Sequence, residues 1–179
     1  MLEKKSNIGY TIWLIGLSSS GKTSLANEIY KYLIQRNIKT QILDGDIFRN
    51  FIGNIFGYSR EDRINVSKIY TLCANLLNNN GISVIVSAIT AFQEMRDFNL
   101  DKIDNYIEIY LDCCLDVCQK RDIKGIYHRF QMGEEKYVVG MDLKFEKPQN
   151  SNLVVDTSDT SIKACMAEIK KYLHTKIVV

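Results

Sequence analysis

The chain has 179 residues, 46% of them hydrophobic and 25% charged, with a formal net charge of +2. This length suits a single domain over residues 1–179, burying about 70% of the surface its unfolded chain exposes. The lysines and arginines are scattered rather than massed, which argues against a nucleic-acid partner but is compatible with small anionic ligands, and no apolar stretch approaches membrane-span length. Lys4 and Lys5 precede the apolar run Tyr10-Thr11-Ile12-Trp13-Leu14-Ile15, which leads straight into a Gly/Ser-rich loop and so reads as a buried strand rather than a signal peptide. That loop, Gly16-Leu17-Ser18-Ser19-Ser20-Gly21-Lys22-Thr23, is a complete phosphate-binding motif. A helical pattern with Leu25, Ile29 and Leu33 spaced four apart follows it. Small residues let successive N–H groups curl around a phosphate while the helix directs its positive end at the same anion. Gly16, Ser18, Ser19, Ser20, Gly21, Lys22, Thr23 and Ser24 are therefore candidates for binding ATP. Lys22 would reach the β- and γ-phosphates, and the Thr23 hydroxyl would hold Mg²⁺.

Thr40-Gln41-Ile42-Leu43 reads as a short strand ending at Asp44-Gly45-Asp46. Ser59, with Asp62 three residues on, opens a long helix that Asn78-Asn79-Asn80-Gly81 stops. Ile82–Val86 is the next strand, followed by a helical stretch containing Met95 and Phe98. Tyr106–Leu111 is a fourth strand, and a helix then runs through Val117 to about Lys120. Residues 121–148 are polar, carry Gly125, Gly133 and Gly140, and show no clean period; so long a segment is usually functional and reads as a lid. Leu153-Val154-Val155 is the last strand, and Ile162, Cys165, Ile169 and Leu173 mark the core face of a final helix. Five cysteines without a C-x-x-C pair read as reduced structural thiols in a cytoplasmic protein.

Strands alternating with helices predict an α/β fold with a parallel five-stranded sheet flanked by helices. Ligands of such sheets lie beyond the carboxyl ends of the strands. The phosphate loop, Asp44-Gly45-Asp46, the region from Ser87 to Arg96 and the Arg121 segment should converge there on one cleft. A switch GTPase would carry Asn-Lys-x-Asp, and this chain has none. A small-molecule kinase needs acids beside the acceptor hydroxyl and cations around the moving phosphoryl group. Asp44 and Asp46 suit the first requirement, although two aspartates around a glycine also suit a plain turn.

Several motifs together resemble the adenylylsulfate (APS) kinase family, from Ile12 to about Thr157. Gly16–Thr23 resembles G-L-S-G-S-G-K-[ST], and Leu43-Asp44-Gly45-Asp46-Ile47-Phe48-Arg49 resembles L-D-G-D-x-x-R. Gly57-Tyr58-Ser59-Arg60-Glu61-Asp62-Arg63 resembles G-F-S-x-x-D-R. Arg121-Asp122-Ile123-Lys124-Gly125-Ile126-Tyr127 resembles R-D-P-K-G-L-Y, and Phe145-Glu146-Lys147-Pro148 resembles Y-E-x-P. The resemblance implies the P-loop NTPase fold, MgATP as phosphoryl donor, a small nucleotide as acceptor and a homodimer. It implies that Asp46 orients the acceptor hydroxyl and Asp44 orders the Mg²⁺ waters, and that Arg49 and Arg63 hold the acceptor. It also implies that Tyr58 stacks on the acceptor base, Arg121 packs near the ATP adenine, and Lys124 lies on the closing lid.

Departures from the pattern gather on the acceptor side. The lid motif K-x-F-T-G becomes Lys136-Tyr137-Val138-Val139-Gly140, so Val138 replaces an aromatic and Tyr137 stands one place early. After D-R the pattern x-x-N-I-R-R places Val66 at the asparagine; Asn65 substitutes for it only if the helix entry shifts by one residue. I-S-P-[YH]-R becomes Ile89-Thr90-Ala91-Phe92-Gln93. Ile89, Thr90, Tyr137 and Val138 complete the candidate acceptor site. The resemblance implies phosphorylation of the 3′-hydroxyl of adenosine 5′-phosphosulfate. A relative acting on another nucleotide, such as cytidine 5′-diphosphoramidate in capsule modification, and a non-catalytic ATP-binding module are the alternatives.

Overall fold

A computed structural model describes residues 8–177; Lys4 and Lys5 lie outside the described residues. Five strands form one sheet: β1 (Thr11–Ile15), β2 (Thr40–Asp44), β3 (Ser83–Ser87), β4 (Tyr106–Asp112) and β5 (Leu153–Asp156). All neighbouring pairs are parallel and the order across the sheet is β2-β3-β1-β4-β5. Parallel neighbours require crossover connections, and helices supply them. These are α1 (Lys22–Ile34), α2 (Gly45–Ile52), α3 (Arg60–Asn78), α4 (Gln93–Lys102), α5 (Leu115–Arg121) and α6 (Ile126–Gln131); α7 (Ile162–Lys176) follows the last strand.

β1 is buried along its whole length, as a central strand covered on both faces must be. Ile12 and Leu14 pack with Leu25, Ile29 and Leu33 of α1 and with Cys165, Ile169 and Leu173 of α7. Trp13 and Ile15 point to the other face, against Val66, Tyr70 and Ala74 of α3. A third cluster joins Leu17, Phe92, Met95, Cys118 and Tyr127 to Val138 and Val139, and it anchors the segment after α5. Among the described residues no helix is long and apolar enough to cross a membrane, and all five cysteines are free.

Two local expectations change, and one alternative falls. Asp44 ends β2 as expected, but Asp44-Gly45-Asp46 is not the plain turn it could have been: Gly45 begins α2, and the Asp44 carboxylate caps it by accepting from the Asp46 and Ile47 amides. The segment 121–148 is not featureless, since it contains α6 and a bridge between Val139 and Leu143. Ile162 is half exposed although Cys165, Ile169 and Leu173 are buried. Helical side chains lean toward the N-terminus, so a first-turn residue leans past the end of the helix. Ser59 caps α3 as its spacing from Asp62 predicts, accepting from the Asp62 amide.

Candidate active site

The carboxyl ends of β1, β2 and β3 open onto a cavity of ≈ 470 Å³ that extends under the 121–148 segment. Its first wall is the phosphate loop. Ser19 and Gly21 adopt left-handed conformations with φ 61° and 96°, turning the chain tightly before α1. A Cβ on Gly16 would stand 2.6 Å from Ser20 Oγ and 2.9 Å from the Leu111 carbonyl oxygen, so no larger residue fits there. The ammonium of Lys22 folds back on its own loop, donating to the carbonyls of Leu17 (2.6 Å) and Gly16 (3.1 Å). Burial, reinforced by the charge of Lys124, lowers the Lys22 pKa to about 8. An anion placed in the loop would favour the charged form again.

Thr23, Asp44 and Ser87 meet at the floor. The Thr23 hydroxyl donates to Asp44 Oδ2 at 3.0 Å and lies 3.5 Å from Ser87 Oγ. Parallel register sets Asp44 beside Ser87, and this aligns the ends of β2 and β3. Two hydroxyls and a carboxylate are hard oxygen donors of the type Mg²⁺ takes when it keeps waters and phosphate oxygens as its other ligands. Among the described residues there is no cluster of three or more His, Cys, Asp or Glu side chains that could hold a metal ion. Asp46, in the first turn of α2, is ion-paired with Lys124.

Arginines and tyrosines build the opposite end. Arg49 Nη1 donates to the carbonyls of Phe56 (2.9 Å) and Gly57 (2.5 Å), and its guanidinium lies 4.6 Å from the Tyr58 ring centroid. Arg63 donates from Nε to the Tyr58 carbonyl (3.0 Å) and from Nη2 to the Tyr137 carbonyl (2.9 Å). Burial and the neighbouring Arg49 charge lower the Arg63 pKa to about 10, which still leaves it cationic at neutral pH. The Tyr70 hydroxyl donates to the Gly45 carbonyl at 3.3 Å, and burial pushes its pKa up.

Of the residues expected from sequence, Ser18, Ser19, Gly21, Lys22, Thr23, Ser24, Asp44, Asp46, Arg49, Tyr58, Arg63, Ile89, Thr90, Lys124, Tyr137 and Val138 line this cavity. Four do not. Gly16 supports Lys22 from behind, and Ser20 is fully buried. Asn65 is off the cavity wall because α3 turns Val66 and Ser67 toward it instead, so the helix entry is unshifted. Arg121 reaches the loop after β5, donating from Nη2 to the Thr157 (2.7 Å) and Ser158 (2.8 Å) carbonyls. Thr90 is fully buried and its Oγ1 accepts from Trp13 Nε1 at 2.7 Å, a structural role for that hydroxyl. Sequence reasoning missed Tyr70 and Ser67. Both follow from Arg63 at helical spacings of seven and four, a signal the motif itself contains.

The adenylylsulphate kinase family matches residues 8–156. The adenylyl-sulfate kinase of Rippkaea orientalis is 35% identical over 166 residues, covering 93% of this chain and 92% of that one. The probable adenylyl-sulfate kinase of Archaeoglobus fulgidus is 37% identical over 150 residues, covering 84% and 97%. Among solved structures, the Mycobacterium tuberculosis APS kinase CysC in complex with AMPPNP and APS superposes with a TM-score of 0.86 at 32% identity, covering 92% of this chain and 97% of that one.

Proposed function

The chain belongs to the adenylylsulphate kinase family, and on that premise we propose that it is an ATP-dependent kinase of adenosine 5′-phosphosulfate, transferring a phosphoryl group to the 3′-hydroxyl. The product would be 3′-phosphoadenosine 5′-phosphosulfate. One observation carries this reading: residues of a complete phosphate loop and an end walled by Arg49, Arg63, Tyr58, Tyr70 and Tyr137 line the same cavity. The first suits a triphosphate and the second an anionic nucleotide.

The chemistry is positioning and charge neutralisation rather than covalent catalysis. The Lys22 ammonium exchanges its loop carbonyls for β- and γ-phosphate oxygens. Mg²⁺ brought in with ATP would be held at Thr23, with Asp44 ordering its waters, and would neutralise developing charge on the phosphates. Asp46 accepts a hydrogen bond from the attacking 3′-hydroxyl once Lys124 leaves it for a phosphate oxygen. Arg49 and Arg63 hold the 5′-phosphosulfate and ribose, and Tyr58 stacks on the base. We assign the ATP adenine to the side of Arg121, beyond the cavity wall.

A pyrimidine acceptor such as cytidine 5′-diphosphoramidate is the second reading. It is favoured by the altered lid motif, in which buried Val138 stands where the resembled motif carries a ring and an aromatic is found only one place earlier, at Tyr137. We further propose a single domain that forms a homodimer in the cytoplasm. Exposed Leu72 and Leu76 on α3 support association, and a molar mass by light scattering tests it. The reaction itself is tested by ADP release from MgATP with each acceptor offered separately. Turnover with the adenosine compound is expected. Turnover with the cytidine compound alone replaces the first reading by the second, and ATP binding without turnover overturns both.

A further inference from the structure

Tyr137 has φ 61°, and with Ser19 and Asn37 it is one of three non-glycine residues in the left-handed region among the described residues. A bulky residue stays there only when its surroundings fix it. Two side chains do so, one holding its N–H and the other its carbonyl. Asp142 spreads its carboxylate over two successive amides, Oδ2 accepting from Tyr137 N at 2.7 Å and Oδ1 from Val138 N at 2.6 Å. Arg63 donates to the Tyr137 carbonyl at 2.9 Å. Asp142 is itself held in a tight turn, where Met141 N and Leu143 N both donate to the Val138 carbonyl.

The conformation decides which of two adjacent side chains meets the ligand. Val138 is sent inward, 5% exposed, into the cluster with Leu17, Met95 and Tyr127. Tyr137 is left 48% exposed on the cavity wall. Arg63 also donates to the Tyr58 carbonyl and lies 5.4 Å from the Tyr58 ring centroid, so one guanidinium ties the two tyrosine-bearing segments together. We propose that Asp142 is a positioning residue for the acceptor, gripping the Tyr137 and Val138 amides so that Tyr137 supplies an aromatic face to the acceptor base. This rests on the kinase reading above but not on whether the base is a purine or a pyrimidine, since either presents a π-face.

The test is steady-state kinetics of the wild type, Asp142→Ala, Tyr137→Ala and the double variant, with whichever nucleotide supports ADP release, and with melting temperatures recorded. For Asp142→Ala the acceptor KM should rise about tenfold, as expected on losing one stacking face. The kcat and the KM for MgATP should stay within about twofold, a split that general loosening of the fold would not produce. The double variant should be no worse than Tyr137→Ala alone. An unchanged acceptor KM in Asp142→Ala, or additive effects in the double variant, overturns the proposal. If Asp142→Ala does not fold, Asp142→Asn keeps one acceptor oxygen and should show a smaller rise in the same constant. A crystal structure of the Asp142 variant gives a readout without turnover. Tyr137 is expected to leave the left-handed region, and retention of φ near 61° refutes the assignment. Wild-type silence with every nucleotide would instead count against the kinase reading.

Discussion

At the proposed triphosphate end of the cavity the groups on offer are main-chain amides and side chains fixed by main-chain geometry. At the acceptor end they are side chains projected from α2, α3 and the 121–148 segment. A loop that wraps an anion with its own backbone tolerates little change: Gly16 has no room for a Cβ, and Lys22 is gripped by the carbonyls behind it. A wall of side chains can be rebuilt by moving an aromatic from one position to the next, as we propose for Tyr137 and Val138. Departures from the family pattern therefore collect at the end where they are expected to leave phosphoryl transfer intact.

The largest test of this contrast is Lys22→Ala. Removing a preorganised charge from the transferring phosphoryl group should lower kcat by about 10²- to 10³-fold, measured as ADP release at saturating acceptor. Near-wild-type turnover would mean that the phosphate loop is not the catalytic end. Asp46→Asn comes next. It keeps a hydrogen-bonding group beside the acceptor but removes the carboxylate, and kcat should fall by about 10²-fold with ATP affinity, read by calorimetry, largely intact. An unchanged kcat would assign Asp46 to pairing with Lys124 alone.

How much of this was legible in the sequence differs between the same two ends. Strand-loop-helix around Gly16–Thr23 was readable because apolar periodicity and the motif agree locally, and the sheet followed from repetition of that pattern. The helix after Asp44 was not, because Asp-Gly-Asp is as good a turn as a cap until the carboxylate is seen to accept from the Asp46 and Ile47 amides. Arg121 matched a motif position and Asn65 needed a one-residue shift that α3 does not make; a motif position fixes a residue's place along the chain and not which side of an element faces the cavity. The roles of Tyr137 and Val138 turn on a left-handed φ that no propensity predicts for tyrosine. The readable signal was Asp142 two residues after Gly140, a turn-forming pair within the segment read as a lid.

Val138→Phe sharpens the comparison from the acceptor side. The family pattern suggests that an aromatic here favours purine acceptors. Val138 is already enclosed with Leu17, Met95 and Tyr127, so the added ring has to displace them. Overpacking of this kind costs about 1–3 kcal/mol, and the melting temperature should fall with little gain in adenine over cytosine preference. An unchanged melting temperature with a clear purine preference would show that position 138 can reach the base despite its burial.

The smallest expected effect is a pH dependence at the triphosphate end. In the ligand-free enzyme the Lys22 pKa is about 8, against an ordinary value of 10.5, chiefly because burial disfavours its charge and Lys124 adds repulsion. Between those two values the folded state binds fewer protons than the unfolded state, so the contribution of Lys22 to stability rises with pH across that window. Bound triphosphate reverses the sign, because its negative charge favours the protonated ammonium. Nucleotide binding should then take up a fraction of a proton between about pH 8 and pH 10. The thermal shift that MgATP produces should shrink over the same range. Calorimetry in buffers of different ionisation enthalpy measures the uptake, and Lys22→Met identifies the part that belongs to Lys22. Uptake that persists in Lys22→Met would assign the proton to another group and remove burial of Lys22 as its cause.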